Sequence, residues 1–300
     1  MQGTGGPGRI AFRAGTPEIF QQPQGLLLML RLLYISIFLI SLLTGRGALA
    51  ADLLVPEAYK TIQGAIEAAS PGDTVLVNEG VYTENLSIRK PIKLKSVKGP
   101  SLTVIKAAVK EEPSILVFGT DGAVVSGFTA KGSLSSGIAL KNVSKSEVSG
   151  NNADENVYGI ALYDSNENAI TGNMADRNEY YGIYLEKSHH NTIERNNANR
   201  NDDKGLFISY SNSNVIRENT ANLNTWNGLT LWSSNDNVIV DNTALRNMYS
   251  IVVSDSKDNE ISGNTTLPNV FLILPVVLIY LGIVTYLIQK NALKLVYGVQ

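Results

Sequence analysis

Five glycines, Gly137, Gly159, Gly182, Gly205 and Gly228, recur every 22 or 23 residues, and each opens a similar apolar phrase. The phrases read GIAL, GIAL, GIYL, GLFI and GLTL, and a worn sixth copy begins at Ser250. A period this short, with no helical phase inside it, belongs to a solenoid whose units bury their apolar faces only by stacking. Each unit carries a second apolar column, Val148, Ile170, Ile193, Ile216, Ile239 and Ile261. A third holds small residues, Ala153, Ala175, Ala198, Ala221 and Ala244. Period-two alternation within pieces this short predicts half-buried strands, three per turn, and hence an all-β parallel β-helix.

Asparagine repeats in the same frame. One column is Asn168, Asn191, Asn214, Asn237 and Asn259; another is Asn151, Asn173, Asn196, Asn219, Asn242 and Asn264; a third is Asn156, Asn178, Asn201, Asn224 and Asn247. Asparagine tolerates the left-handed backbone of sharp corners. At the ~4.8 Å spacing of strands its amides also bond into ladders. Both properties give these residues a structural role.

The ends are of another kind. Arg31, the apolar run Leu32 to Leu43, and Ala48-Leu49-Ala50 before Ala51 have the layout of a secretory signal peptide. That places a signal at 29–50, with Met29 as the start and 1–28 as an extension rich in Gly, Pro and Gln. Val270 to Ile288 is an uncharged apolar run, and a membrane-spanning helix needs ~20 such residues. Lys290 and Lys294 follow it, so the positive-inside rule assigns 289–300 to the cytoplasm and 51–267 to the outside. The chain has 25 basic and 27 acidic residues, with no basic stripe for nucleic acid. It has no cysteine, which excludes disulfides, thiolate metal sites and thiol nucleophiles.

The opening segment Tyr59 to Ser96, "YKTIQGAIEAASPGDTVLVNEGVYTENLSIRKPIKLKS", resembles the start of pectin-lyase-like right-handed parallel β-helices. Within it Ile62, Ala65, Ile66 and Ala69 share one helical face over Thr61 to Ala69, as a solenoid cap requires. The asparagine-rich repeats resemble the NosD-type and carbohydrate-binding/sugar-hydrolase branch of that group, over roughly Val55 to Leu267. The resemblance implies a right-handed coil and a polysaccharide or surface-polymer partner. A NosD-like accessory part in copper delivery is a further implication.

Chemistry on such a fold would use carboxylates, one as acid and one as base or nucleophile. Asp154, Asp176, Asp202 and Asp203 are the candidates, with Arg177 and Arg200 nearby. The related lyases hold calcium with aspartates and use a basic residue as base; otherwise no cofactor is expected. Gly80, Tyr82 and Glu84 match the G-x-Y-x-E element of pectin methylesterases, yet no catalytic aspartate motif of that family follows. Polygalacturonase signatures are missing too, so the reading leans away from an enzyme. Tyr163, Tyr184, Phe207 and Trp232 fall on outward positions of the repeat, with Trp226 close by. Flat rings of this kind stack on sugars, unless they stack only on one another.

His189 and His190 are the only histidines and occupy a polar corner before Asn191. A metal site normally needs three or four ligands, so the pair reads as turn filling. Asn85-Leu86-Ser87, Asn142-Val143-Ser144 and Asn264-Thr265-Thr266 fit N-glycosylation sequons.

Overall fold

The structure, a computed structural model, describes residues 3, 8, 28–36, 50–268 and 270–297. The chain divides into two units, Met1–Leu49 and Ala50–Gln300. In the first, residues 28–36 are helical; the rest of the expected extension and signal segment lies outside the described residues, apart from residues 3, 8 and 50.

The second unit is the expected solenoid. A ten-stranded parallel sheet runs from Asp52–Val55 to Glu260–Ser262, and an eight-stranded one from Leu86–Ile88 to Tyr249–Ser254. In-register pairing stacks like on like: Ile160 on Ile183, Leu206 and Leu229 in one sheet, Ile170 on Ile193, Ile216 and Ile239 in the other. These side chains and the alanine column fill the interior almost without exposure.

The third wall departs from the expected strand. It is a three-stranded sheet at one end (Gly80–Thr83, Thr103–Lys106, Thr129–Lys131) and a two-stranded one at the other (Thr243–Asn247, Thr265–Pro268). Between them only single bridges connect Asn152, Met174, Asn197 and Thr220. In these middle turns Asn196 to Asn199 lies between left-handed Arg195 and Arg200, and Asn151 to Asp154 between Gly150 and Glu155.

The asparagines also act differently from the expectation. Ladder asparagines are not the left-handed residues; the residue just before each one is. Those predecessors are Glu167, His190, Ser213, Asp236 and Asp258 in one column, and Gly172, Arg195, Glu218 and Asp241 in another. The corner leaves the next backbone N–H buried with no strand partner, and the Oδ1 of the following turn's asparagine accepts it. Asn173 N–H donates to Asn196 Oδ1 at 2.9 Å, and Asn173 Nδ2 donates to the same oxygen at 3.0 Å. Asn196 repeats both bonds to Asn219, and its Nδ2 also donates to Ile170 O at 2.8 Å. Serine forms a parallel ladder through Ser165, Ser188, Ser211 and Ser234, each N–H donating to the next Oγ.

The glycines fix how closely turns approach. A Cβ on Gly182 would lie 2.7 Å from Ala175 O and 2.8 Å from Ala198 Cβ, so the alanine wall tolerates no side chain there. Glycine is set by packing at this position.

A helix, Ile62–Ala68, closes the first end with Ile62, Ala65 and Ile66 buried. Thr61 Oγ1 accepts Gly64 N–H, and the Glu84 carboxylate accepts Ile62 and Gln63 N–H at 3.1 and 3.0 Å. Lys90 Nζ donates to Ile66, Glu67 and Ala69 carbonyls at the other terminus. A carboxylate at the N-terminus and an ammonium at the C-terminus both oppose the helix dipole. The G-x-Y-x-E element is thereby accounted for as a capping device. At the far end Val253 and Ile261 are 41% and 45% exposed, whereas their equivalents Leu231 and Ile239 are buried.

After the last strand a 28-residue helix runs Val270–Tyr297, beyond the expected limit at Ile288. Its side chains are described over 274–290. Among the described residues no helix is long and apolar enough to cross a membrane.

Asn196→Ala removes the acceptor for two donors and the donor for two acceptors. Each buried group left unsatisfied costs ~1–3 kcal/mol, so the variant should lose at least ~3 kcal/mol in urea denaturation of the full chain. A loss below ~1 kcal/mol would show that the ladder bonds contribute little.

Candidate functional site

The outer face of the eight-stranded sheet carries three outward columns. One contains Tyr158, Tyr181 and Lys204; the second Tyr184 and Phe207; the third Phe118, Lys141, Tyr163, Glu186 and Trp232. Strand alternation puts the second and third columns outside while Ile183 and Leu185, or Leu206 and Ile208, point inward. The first column lies three residues before the second, ahead of the repeat glycine, and Tyr181 meets Tyr184 and Phe207 with centroids 5.3 and 5.0 Å away. Parallel register brings the rings of successive turns together. Tyr184 stacks on Phe207 with centroids 5.4 Å apart, and Phe207 on Trp232 at 6.5 Å. Tyr163 meets Tyr184 edge-on at 5.8 Å, and Tyr181 meets Phe207 edge-on at 5.0 Å.

Tyr163, Tyr184, Phe207 and Trp232 thus lie together as the repeat placed them, in one band across four turns. Mutual stacking turns the faces of Tyr184 and Phe207 toward their neighbours and leaves mainly edges outward. Trp232 ends the stack with 40% exposure and donates from Nε1 to Asp255 at 3.3 Å. Trp226, 51% exposed and with no ring neighbour among the described residues, stands at the opposite edge of the same strand. Tyr180 and Tyr249 are also exposed.

Cations ride on this band. Lys204 Nζ lies 5.0 Å from the Tyr181 ring centre and 5.1 Å from that of Phe207, and it pairs with Asp203 at 2.8 Å. Lys141 sits over Tyr163 at 5.3 Å and Arg89 over Phe118 at 4.6 Å. Burial pushes the Tyr163 and Tyr181 hydroxyls up to about 12, with nearby carboxylates adding to the effect. Burial and Glu186 raise Tyr184 as well. These phenols stay protonated and serve as hydrogen-bond donors at neutral pH. Sequence reasoning missed Lys204, Lys141 and Arg89, because only the register shows that each lies over a ring.

The aspartates separate into two groups. Asp154 and Asp176 occupy equivalent places on adjacent turns, and both are buried. Asp154 pairs with Arg177, and Asp176 Oδ1 accepts Asn199 N–H at 2.7 Å. Burial raises the Asp176 carboxyl, against the opposing pull of that N–H and of Arg177. Asn199 and Asn222 continue the same column, each accepting the next turn's N–H. Asp202 is exposed and Asp203 is tied to Lys204. A cleft along this corner is lined by Lys110, Glu155, Arg177, Glu179 and Asp202. On the other broad sheet lies a charged group that the sequence did not reveal. Buried Glu194 is held by Arg217 at 2.8 Å and by Arg195, and the Arg217 bond leads in keeping its carboxyl below the usual range.

His189 belongs to a ladder. Its N–H donates to Asn166 Oδ1 at 2.7 Å, and its Nδ1 accepts Asn212 N–H at 3.0 Å. Asn212 and Asn235 continue the column by accepting the next turn's N–H. The imidazole stands where asparagine stands elsewhere, with Nδ1 as acceptor, which requires the neutral ring with its proton on Nε2. His190 is the left-handed corner residue beside it. Among the described residues no group of three or more His, Asp or Glu side chains is placed to hold a metal ion.

With fold and face in place, the class is that of the pectin-lyase-like parallel β-helices. Residues 95–272 match the family described as periplasmic copper-binding protein (NosD), and the chain belongs to that family. No curated protein matches the sequence. Among solved structures, an alginate lyase from Paenibacillus sp. str. FPU-7 is similar at 14% identity and a TM-score of 0.55, over 72% of this chain and 97% of that one. The periplasmic alginate epimerase AlgG is similar at 16% identity and 0.55, over 67% of this chain and 52% of that one. The catalytic domain of an alpha-1,3-glucanase in complex with nigerose gives 14% and 0.55, over 69% and 45%. Likeness at such identities shows the fold alone.

The family description raises copper, which proteins hold with Cys, Met and His. This chain has no cysteine, two histidines and four methionines. His189 Nδ1 is occupied by a backbone N–H, and Met174 lies three turns before Thr243, whose strand Met248 follows. The described residues do not fit a copper site.

Burial first, and His190 second, lower the His189 pKa, with Asp164 opposing. The unfolded chain, with an ordinary histidine near 6.5, therefore binds the proton more readily than the folded one. Stability should fall as pH drops through and below ~6.5 and level off once the folded ring protonates. Urea midpoints between pH 8 and 5 measure this, and His189→Asn should flatten that part of the profile. An unchanged slope in the variant would remove His189 as its source.

Proposed function

We propose that the protein is an exported surface β-helix that binds polysaccharide through the outer face of its eight-stranded sheet. The band of rings over four consecutive turns, bordered by Trp226 and Trp232, carries this reading. The two tryptophans are exposed, which is unfavourable in water, and an open ring face complements the apolar faces of sugars. Phenolic donors, Lys204 and Glu186 on the same face supply partners for hydroxyl groups. The names of the similar structures, an alginate lyase, an alginate epimerase and a glucanase bound to nigerose, support a glycan as partner. Signal-like residues 29–50 and the apolar run 270–288 support export with a C-terminal anchor, the tail being cytoplasmic.

A second reading, polysaccharide cleavage, is favoured by one observation: the raised carboxyl of Asp176 beside a charged cleft. A carboxyl whose acidity burial weakens has the environment that a general acid uses. Its partner would be found among Asp154, Asp202 and Asp203, with calcium as cofactor in the lyase case.

Binding of the full chain to a panel of neutral and acidic oligosaccharides separates the two readings. Trp226→Ala and Trp232→Ala should each weaken binding by about tenfold, ~1.4 kcal/mol. Asp176→Asn should leave it unchanged. Release of shortened products, lost in Asp176→Asn, would favour the second reading, and binding indifferent to both tryptophans would overturn the first.

A further inference from the structure

The three N-x-Ser/Thr triplets are alike in sequence and unlike in the fold. Attachment of a glycan joins the side-chain nitrogen Nδ2 to a sugar, so that atom must be unengaged and face open space. Asn85 fails this condition. Its Nδ2 donates to the carbonyls of Val109 and Pro113 at 3.0 and 2.9 Å, and its Oδ1 accepts Val109 N–H at 2.7 Å. Asn264 fails it too, being the last rung of an inner ladder. Its Nδ2 donates to Ile239 and Ser262 carbonyls at 2.8 and 3.0 Å, and its Oδ1 accepts from both nitrogens of Asn242.

Asn142 is placed otherwise. It ends the strand Ser136–Lys141 on a left-handed corner with φ of 52° and is exposed. The equivalent residues Asp164, Lys187, Tyr210, Ser233 and Asp255 share that conformation. Its backbone N–H pairs with Tyr163 O at 3.1 Å, and its side chain has no partner among the described residues. Val143 turns inward with 1% exposure, while Ser144 is partly open. The amide and the hydroxyl two residues on therefore remain accessible to one enzyme surface, with the intervening side chain out of the way.

We propose that Asn142 is the N-glycan acceptor of the folded protein and that Asn85 and Asn264 are not. For a cell to use the site, the chain must be exported, as read above; the acceptor chemistry itself needs only the fold. In the transfer, Asn142 Nδ2 forms a bond to the anomeric carbon of a polyprenyl-diphosphate-linked oligosaccharide. The bond from that carbon to the phosphate oxygen breaks, the polyprenyl diphosphate leaves with the electron pair, and one amide proton passes to base. No oxidation or reduction occurs. A glycan there would flank the start of the ring band, beside Lys141 and Tyr163, four turns or about 19 Å along the axis from Trp232.

The test uses the detergent-solubilised full chain, a purified oligosaccharyltransferase and a lipid-linked oligosaccharide, with peptide mass spectrometry as readout. The folded chain should carry glycan at Asn142 alone, and the urea-unfolded chain at all three triplets. Ser144→Ala should abolish modification of the folded chain without shifting its urea midpoint. A bare Asn142 in the folded chain, or glycan on Asn85 or Asn264 there, overturns the proposal. Protease accessibility of the ectodomain on intact cells reports on export separately, so failure of that reading is distinguishable from failure of this one.

Discussion

A buried asparagine oxygen that accepts two hydrogen bonds from the turn before it is the interaction on which the rest of this structure depends. Every sharp corner of the coil removes a backbone N–H from strand pairing and leaves it facing the interior. An unsatisfied donor there costs ~1–3 kcal/mol, and the corners recur in every turn. Asparagine resolves this because its oxygen reaches the orphaned N–H while its nitrogen donates onward to the next rung and to a carbonyl. Serine accepts the corner N–H of the preceding turn in the same way, and His189 Nδ1 accepts the N–H of Asn212 on the next turn. The rung spacing equals the strand spacing, so hydrogen bonding and apolar stacking demand the same register.

Because the interior is fully prescribed, variation is confined to the outside, and the two broad sheets use it differently. The ten-stranded sheet carries the paired charges around Glu194. On the eight-stranded sheet the outward places hold rings and the cations that lie over them. That division would let the proposed glycan-binding face vary without disturbing any rung. The family is described by copper binding, yet here His189 already spends its Nδ1 on a backbone N–H.

Much of this was legible in the sequence. Glycine spacing set the turn, and the isoleucine and alanine columns gave the walls in correct register. The capping helix was readable from Ile62, Ala65 and Ile66. Other features were hidden for physical reasons. Periodicity locates a corner only to within a residue, so the asparagines were taken for the left-handed residues when their predecessors, as varied as Arg195 and Ser213, hold that conformation. The recurrence of Ala198 points to a strand in the third wall, but pattern cannot show that its middle turns meet only through single bridges. Stacking of Tyr184 on Phe207 follows from register, whereas no residue pattern tells which ring faces remain open. Of the four aspartates, Asp154 and Asp176 are buried, Asp154 paired with Arg177 and Asp176 bonded to the Asn199 N–H.

If the ladders alone set the fold, each turn is an interchangeable unit, stabilised by its neighbours and not by its own sequence. Deleting residues 182–204 removes one complete turn and joins Tyr181 to Gly205, preserving every column. The expected result is a β-rich circular dichroism spectrum and a single cooperative urea transition like that of the full chain. Loss of that transition, with an unfolded spectrum, would contradict the account.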